Sequence, residues 1–181
     1  EVAALDIALE IYNPNAVNAA LMDEELAALL MEAGFQEVRF GLETADEELQ
    51  RALGGKVTTR DFEKALSWLA AAGFPGSAVH AYILSGLPFQ RWQDVRSAVD
   101  YAADLGVMVG LAEYTPIPHT EFFERFKGAA RYPIEDEPLY QNNALFPFAW
   151  KGFTEEHLSS IKARVRALNL QNGAYTEGED I

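Results

Sequence analysis

A glycine between two apolar residues directly follows a helix-like apolar pattern three times, and these three sites divide most of the chain into similar units. The copies are Ala33-Gly34-Phe35, Ala72-Gly73-Phe74 and Leu105-Gly106-Val107, and their glycines lie 39 and 33 residues apart. Each copy follows apolar residues at helical spacing and precedes an extended apolar run, so each glycine is expected to end a helix. Intervals of this length suit one strand plus one helix, and such alternation predicts a parallel sheet with right-handed crossovers.

Four strands are expected, with helices between them. The strands are predicted over residues 2–12, 37–43, 78–85 and 107–114. The first helix should begin after Asp23, which suits an N-cap, and the second after Thr58, which forms a capping-box pattern with Asp61. A third helix is predicted over residues 92–105. After residue 118 the alternation stops, and a short helix (120–127), a proline-rich loop (132–150) and a final helix (154–169) are predicted.

Two faces can be assigned to each predicted strand because side chains alternate along an extended chain. One face is aliphatic, as in Val38, Phe40 and Leu42, and we expect it to lie under the helices. The other, which we call the open face, is predicted to carry Glu10, Tyr12, Arg39, Gly41, Glu43, His80, Tyr82, Leu84, Gly86, Met108, Gly110, Ala112 and Tyr114. Four strands cannot close an eight-stranded barrel, and a doubly wound sheet is also possible. Charged residues and glycines on the open face favour a partial barrel with room for a ligand, because packed barrel interiors are usually aliphatic.

Composition narrows the classes of function. The chain has no cysteine, which excludes disulfides, zinc–thiolate sites and a cysteine-ligated iron–sulfur cluster held by this chain. Its net charge of −14 argues against nucleic acid or an anionic membrane as the main partner. No apolar run approaches a membrane span and no signal-peptide pattern is present, so cytoplasmic localisation is expected. The chain opens on Glu1 within an apolar run, which suggests a fragment of a longer protein.

Glu43 is the strongest candidate for a functional residue. It lies on the open face at the carboxyl end of a predicted strand, where barrel and α/β folds bind their ligands. The structural alternative is a helix-capping carboxylate or an ion pair with Arg39. We expect Arg39 to pair with Glu10, because a buried charge needs a partner.

Three other candidates follow predicted strands or loops, and each has a structural alternative. Asn13 could line the mouth of the site or belong to a turn. Lys56 follows two glycines without the spacing of a P-loop, and it could meet a ligand carboxylate or be solvated. Gly86 ends the third strand and allows a close approach of its backbone to a ligand. His80 lies at the opposite end of its strand, so we expect it to be structural.

Five segments in one order resemble the later part of a radical S-adenosylmethionine enzyme. They are Phe40-Gly41-Leu42-Glu43-Thr44, residues 49–56, Ser85-Gly86-Leu87-Pro88, residues 113–118 and Asn142-Asn143-Ala144-Leu145-Phe146-Pro147. Each motif alone is weak, whereas the ordered set is fairly specific and covers nearly the whole chain. The resemblance is strongest to the group that often carries a cobalamin-binding domain upstream.

The resemblance implies an open (β/α)6 partial TIM barrel. Residues 1–118 would supply strands three to six, and residues 119–181 would form a C-terminal loop and helix extension. The cysteines that bind the 4Fe–4S cluster and the glycine-rich segment that binds the methionine amino group would precede this chain. The family uses the cluster and S-adenosylmethionine to generate a 5′-deoxyadenosyl radical that attacks a small-molecule substrate. This chain alone would therefore be inactive, and cobalamin is a possible further cofactor outside it.

The resemblance also assigns cofactor-binding positions. Glu43 matches the residue that contacts the ribose hydroxyls, and a carboxylate can accept two hydrogen bonds from a vicinal diol. The adenine platform matches Leu84, Ser85 and Gly86, and the strand that meets the adenine edge matches Tyr114 and Thr115. One departure concerns the loop after Gly86-Leu87-Pro88, where the family often has Gly-Glu and this chain has Phe89-Gln90.

Two other functions remain open at this point. A metal-dependent barrel lyase or isomerase could use Glu10, Glu43, Glu113 and His119, although Glu113 shares its strand phase with Leu111 and should face the helices. A non-catalytic, cluster-less binding module is the second. If strands one and two precede this chain, as the resemblance implies, the isolated chain would expose a sheet edge where they should pair, and that edge could support a homodimer.

Overall fold

A three-stranded parallel sheet forms the centre of the computed structural model, which describes residues 8–52 and 54–173. Strands β1 (Val38–Glu43), β2 (Val79–Ser85) and β3 (Met108–Glu113) lie side by side in the order β1-β2-β3. The helices are α1 (Glu24–Ala33), α2 (Glu47–Ala52), α3 (Thr59–Ala72), α4 (Trp92–Asp104), α5 (Glu121–Phe126) and α6 (Glu155–Gln171). The strand–helix alternation and the parallel sheet are thus confirmed. None of the described helices is long and apolar enough to cross a membrane.

The first predicted strand differs from expectation within the described residues. Residues 2–7 lie outside them, and residues 8–12 contribute one isolated parallel bridge, between Ile11 and Phe35. A second bridge joins Val17 to Phe40, so this segment follows the outer edge of β1 without forming a continuous ladder. Val17 lies six positions after Ile11, whereas Phe40 lies five positions after Phe35, so the two bridges do not share one register.

Local signals set the helix ends where the sequence predicts them. The Asp23 side chain accepts a 2.8 Å hydrogen bond from the Leu26 amide, and Thr58 and Asp61 form the predicted capping box. Gly34 ends α1 in the left-handed region, at φ 93°. A Cβ at Gly34 would lie 2.1 Å from the Leu9 carbonyl oxygen, so both its backbone angle and its close contact require glycine.

The aliphatic strand faces form the main core, as predicted. Burial alternates along β1 and β2, and Phe40 packs edge-on against Phe62 of α3 with 5.8 Å between ring centroids. The buried strand residues of this core are Val38, Phe40, Leu42, Val79, Ala81, Ile83 and Val109. The helices cover this side of the sheet, which leaves the open face to the polar side chains of β1 and β2.

Helix α6 also protects the outer edge of β3. The Asn169 side chain accepts a hydrogen bond from the Val109 amide and donates one to the Val109 carbonyl, both at 2.9 Å. A side-chain amide thereby takes the place of a neighbouring strand at this position.

The long β3–α6 connection, residues 114–154, packs across the carboxyl ends of β2 and β3. It contains a second hydrophobic cluster around Phe123, Ile134 and Phe148, while its Phe146 joins the main core. The Trp150 indole N–H donates to the Gln90 carbonyl, at 2.9 Å. The connection is therefore attached both to the sheet end and to the loop after β2.

Candidate functional site

Glu43 occupies an unusual position at the end of β1. The strand register shifts between Gly41 and Glu43, and Glu43 adopts a left-handed backbone at φ 67°. Its carboxylate lies over Gly41, because a Cβ at Gly41 would be 3.6 Å from Glu43 Oε1. The side chain is thus on the open face, as the strand phase predicts. A left-handed non-glycine residue costs conformational energy, and such residues concentrate at functional sites.

The structural alternatives for Glu43 are not observed. Asp46 caps α2 instead, with its Oδ1 accepting a 2.7 Å hydrogen bond from the Leu49 amide. Among the described residues Glu43 forms no ion pair, and its side chain is exposed. The carboxylate is therefore available to a ligand.

Lys56 lies near Glu43 in the fold. Both residues line a small cavity of about 130 Å³, together with Gly41, Leu42, Gln50 and Val57. The structure thus places a carboxylate and an ammonium group around one opening at the carboxyl end of β1.

The loop after Glu43 is anchored by two buried residues that the sequence did not single out. The Thr44 hydroxyl accepts a hydrogen bond from the Asp46 amide, and the Gln50 side chain donates to the Thr44 carbonyl at 2.8 Å. Thr44 and Gln50 are 2% and 6% exposed. No local pattern reveals this pairing, because it depends on how the loop closes.

At the end of β2, the three predicted positions differ in orientation. Leu84 is half-buried and has the phase of the open face. The Ser85 hydroxyl is buried on the helix side with Ala81 and Ile83, and it has no hydrogen-bond partner among the described residues. Gly86 has φ 88°, and a Cβ there would lie 3.2 Å from the Phe146 ring. The close approach that this glycine permits is therefore made by Phe146.

Gln90 organises the loop after β2. Its Oε1 accepts hydrogen bonds from the amides of Gly86 (2.9 Å) and Leu87 (3.2 Å), and its Nε2 donates to the Leu84 carbonyl at 3.0 Å. Phe89 beside it has a left-handed backbone at φ 59°. A glycine, which the resemblance suggests at this position, would adopt that angle without strain.

At the end of β3, Tyr114 belongs to the second hydrophobic cluster. Its amide donates to the Ser85 carbonyl at 2.8 Å, and its ring lies 5.4 Å from Phe122 and 5.7 Å from Phe148. Burial raises the pKa of its phenol. Thr115 lines a separate cavity of about 410 Å³ beside Asn142 and Asn143. The structure therefore does not bring Tyr114 and Thr115 into the Glu43 cavity.

The predicted pairing of Arg39 with Glu10 is wrong. Arg39 Nε donates to Glu37 at 2.9 Å and Nη1 donates to the Tyr82 hydroxyl at 2.7 Å, whereas Glu10 is exposed. Glu37 lies two residues before Arg39 on the same strand phase, so its carboxylate is within direct reach of the guanidinium. The two bonds help to hold the Arg39 pKa above its ordinary value, although burial opposes that rise.

His80 lies near the amino end of β2, as predicted, and contacts Glu37 at 3.2 Å. Burial is the main cause that lowers its pKa, and the charge of Arg39 adds to it; the Glu37 carboxylate only partly compensates. Near pH 7 the contact with Glu37 is therefore made by a mainly neutral imidazole.

The room predicted beside Gly110 is filled by protein. A Cβ at Gly110 would lie 2.8 Å from two atoms of the Tyr82 ring. The glycine thus accommodates an aromatic side chain from the neighbouring strand, and the open face is packed around Tyr82 and Gly110.

Asn13 and Glu113 lie away from Glu43. Asn13 lines a very small cavity beside Glu37 and Arg39, and its side-chain oxygen accepts a hydrogen bond from the Asn15 amide in a local turn. Glu113 forms a 2.7 Å ion pair with Lys162 of α6, on the helix side that its phase predicts. In the described parts of the chain, no group of three or more His, Cys, Asp and Glu residues is arranged to hold a metal ion. The donor set considered for a metal-dependent lyase is therefore not assembled.

A family comparison agrees with this geometry. Residues 6–112 match the model of the Radical SAM superfamily. The chain belongs to this superfamily. The matched range includes Glu43, Lys56 and the end of β2, and it stops just before Tyr114.

Individual relatives of this radical SAM chain are considerably longer. It is 32% identical over 111 residues to an uncharacterised protein of Methanopyrus kandleri, MK0932, covering 59% of this chain and 21% of that protein. The radical SAM methyltransferase TsrM of Kitasatospora setae, solved with tryptophan and a SAM analogue, is 23% identical with a TM-score of 0.56. That match covers 83% of this chain and 34% of TsrM. The chain thus spans about a fifth to a third of these proteins.

A third similar structure is coproporphyrinogen III oxidase (HemN) of Escherichia coli, a radical SAM enzyme. It is 16% identical with a TM-score of 0.58, and the match covers 91% of this chain and 33% of HemN. At these identities the solved structures support the fold only.

Proposed function

We propose that this chain is the S-adenosylmethionine-binding later part of a radical SAM partial barrel, with β1, β2 and β3 as barrel strands four, five and six. The observation that carries the proposal is Glu43, whose carboxylate lies exposed over Gly41 at the carboxyl end of β1. It can accept two hydrogen bonds from a ribose diol. Lys56, across the same cavity, would meet the carboxylate of the cofactor.

The adenine would lie toward the end of β2. Leu84 presents an apolar side chain on the open face and would pack on the ring. The amides of Gly86 and Leu87 are already bonded to Gln90, so a ligand would use other groups there. Ser85 would contribute only through its backbone. Because the Tyr114 amide already donates to the Ser85 carbonyl, Tyr114 and Thr115 would approach the adenine edge through other backbone groups. Asn13 would take part only if the preceding segment moved toward Glu43.

The cluster does not fit the residues of this chain. A 4Fe–4S cluster needs thiolate ligands, and the 181 residues include no cysteine. Its ligands would come from residues outside this chain, so the chain alone would not be catalytic. Bound S-adenosylmethionine supplies hydrogen-abstracting radical chemistry in such enzymes, and the role of this chain would be to hold and orient that cofactor.

Affinity for S-adenosylmethionine in the full-length protein tests the proposal. Glu43→Gln should weaken binding at least tenfold, because it removes hydrogen bonds to a charged acceptor that contribute about 1.5–3 kcal/mol. Equilibrium dialysis or calorimetry would measure the change. Glu47→Gln, an exposed carboxylate in the first turn of α2, is the matched control and should bind as the wild type does. Unchanged affinity in Glu43→Gln would refute the role of Glu43.

Cobalamin is a further hypothesis for the full-length protein. TsrM was also solved with cobalamin and a [4Fe-4S] cluster, and that structure matches 90% of this chain with a TM-score of 0.58. The visible absorption spectrum of the purified full-length protein, reconstituted with cobalamin, would show whether it binds.

A further inference from the structure

A second, larger opening lies at the same end of the sheet as Glu43. It is a cleft of about 650 Å³ between the start of α2, the loop after β2 and helix α5. We call it the aromatic cleft. Its volume is within the range of small-molecule sites, and it lies beyond the carboxyl ends of β1 and β2, where such folds bind ligands.

The apolar lining of the aromatic cleft comes from separate parts of the chain. Leu49 comes from α2, Leu87 and Phe89 from the loop after β2, and Phe122 and Phe126 from α5. Phe89 is 60% exposed although its ring lies edge-on to both Phe126 (6.3 Å) and Trp150 (6.0 Å). Phe89 has a left-handed backbone and presents a large apolar side chain to solvent. Like Glu43, it is therefore a strained residue at this end of the sheet.

Two guanidinium groups line the same cleft. Arg91 and Arg125 both line it, and neither forms an ion pair with any described residue. Arg125 lies over the ring of Phe126, 5.1 Å from its centroid, so its charge is held next to the apolar surface.

The acidic residues of the cleft have other roles. Asp46 caps α2, while Glu48 and Asp94 lie in the first turns of α2 and α4, where a negative charge stabilises the helix dipole. Arg91 and Arg125 have no comparable structural function, and they are the only basic residues in a lining that also holds aliphatic, aromatic and acidic side chains.

We propose that the aromatic cleft binds a small organic anion with a flat apolar body. The body would pack between Phe89 and the α5 phenylalanines, and Arg91 and Arg125 would pair with the anionic group. That this anion is the substrate rests on the proposed function, because the cleft then lies beside the cofactor site at Glu43.

Binding of a charged probe and its neutral analogue to the full-length protein tests this proposal. The probes are 2-naphthoate and 2-naphthamide, and calorimetry measures their affinities. The wild type should bind naphthoate more tightly. Arg91→Gln and Arg125→Gln should each lower the affinity for naphthoate about fivefold, which is the scale of a partly exposed ion pair. Neither substitution should change the affinity for naphthamide. Phe89→Ala should weaken both probes about tenfold, by loss of an aromatic contact.

The controls separate this proposal from the cofactor site. Arg166→Gln, at an exposed position of α6, should bind naphthoate as the wild type does. Glu43→Gln should also retain naphthoate affinity, and the three cleft variants should retain affinity for S-adenosylmethionine. Equal affinity for the two probes, or an equal loss in Arg166→Gln, would overturn the cleft proposal while leaving the Glu43 assignment in place. Unchanged cofactor affinity in Glu43→Gln, with the arginine effects present, would refute only the cofactor proposal.

Discussion

Gln90 shows how one side chain can hold a loop at the end of a strand. It satisfies two amides and one carbonyl that the turn after β2 would otherwise leave without partners. It is 8% exposed, so water could not easily replace it. The resemblance suggests glutamate here, and a carboxylate could accept the same two amides but could not donate to the Leu84 carbonyl.

We therefore predict a graded effect of substitutions at Gln90. Gln90→Leu should reduce the free energy of unfolding by about 3 kcal/mol, because it leaves several buried backbone groups unpaired. Gln90→Glu should cost about 1 kcal/mol, because both amides keep their acceptor. Urea denaturation measures both, and Gln93→Leu, at an exposed position of α4, should change little. Equal losses in Gln90→Leu and Gln90→Glu would show that the two amide bonds are not what stabilises the loop.

At the scale of secondary-structure elements, α6 has a role beyond covering the core. Its apolar residues Leu158, Ile161 and Val165 pack into the main core, as the helical spacing suggests. Its Asn169, one helical turn beyond Val165, pairs with both backbone groups of Val109. An edge strand that would otherwise present free backbone groups is thus closed by its own helix.

This arrangement predicts a local effect of substitution at Asn169. Asn169→Leu should lower stability by about 2 kcal/mol, because it removes two hydrogen bonds from partly buried backbone groups. It should also speed amide hydrogen exchange at Val109. Gln171→Leu, exposed on the same helix, is the control and should leave that exchange rate unchanged. If exchange at Val109 were unaffected in Asn169→Leu, some other element would be protecting the edge.

At the scale of the whole molecule, the two edges of the sheet are treated differently. The β3 edge is closed at Val109, whereas the β1 edge meets a segment that, in its described part, is bridged only at Ile11 and Val17. Ile11 directs its amide and carbonyl toward Gly34 and Gln36. The next residue, Tyr12, is 62% exposed, and its backbone groups form no hydrogen bond with any described residue.

We keep the prediction that the 181-residue chain forms a homodimer through this edge. Light scattering across a range of concentrations should show a dimer, and Tyr12→Pro should shift it toward monomer, because proline removes an N–H that could pair with a second copy. The matched variant Tyr12→Leu keeps that N–H and should dimerise. A wild-type chain that stays monomeric at high concentration would contradict the prediction.

Neighbouring residues alone determined much of the fold. Helix caps, glycine stops and the two faces of each strand depend on spacings of a few residues, so Asp23, Gly34 and the alternation of Val38 and Phe40 could be assigned from the sequence. The same phase correctly placed Glu43 on the open face and Glu113 toward the helices.

Only the tertiary structure decided which distant side chains meet. Arg39 pairs with Glu37 and Tyr82, the Tyr82 ring fills the space at Gly110, and Phe146 packs against Gly86. The register shift between Gly41 and Glu43 and the aromatic cleft near them also arise from contacts between segments. Such contacts depend on register, loop closure and packing of residues far apart in the chain, and the sequence of any one segment carries no signal for them.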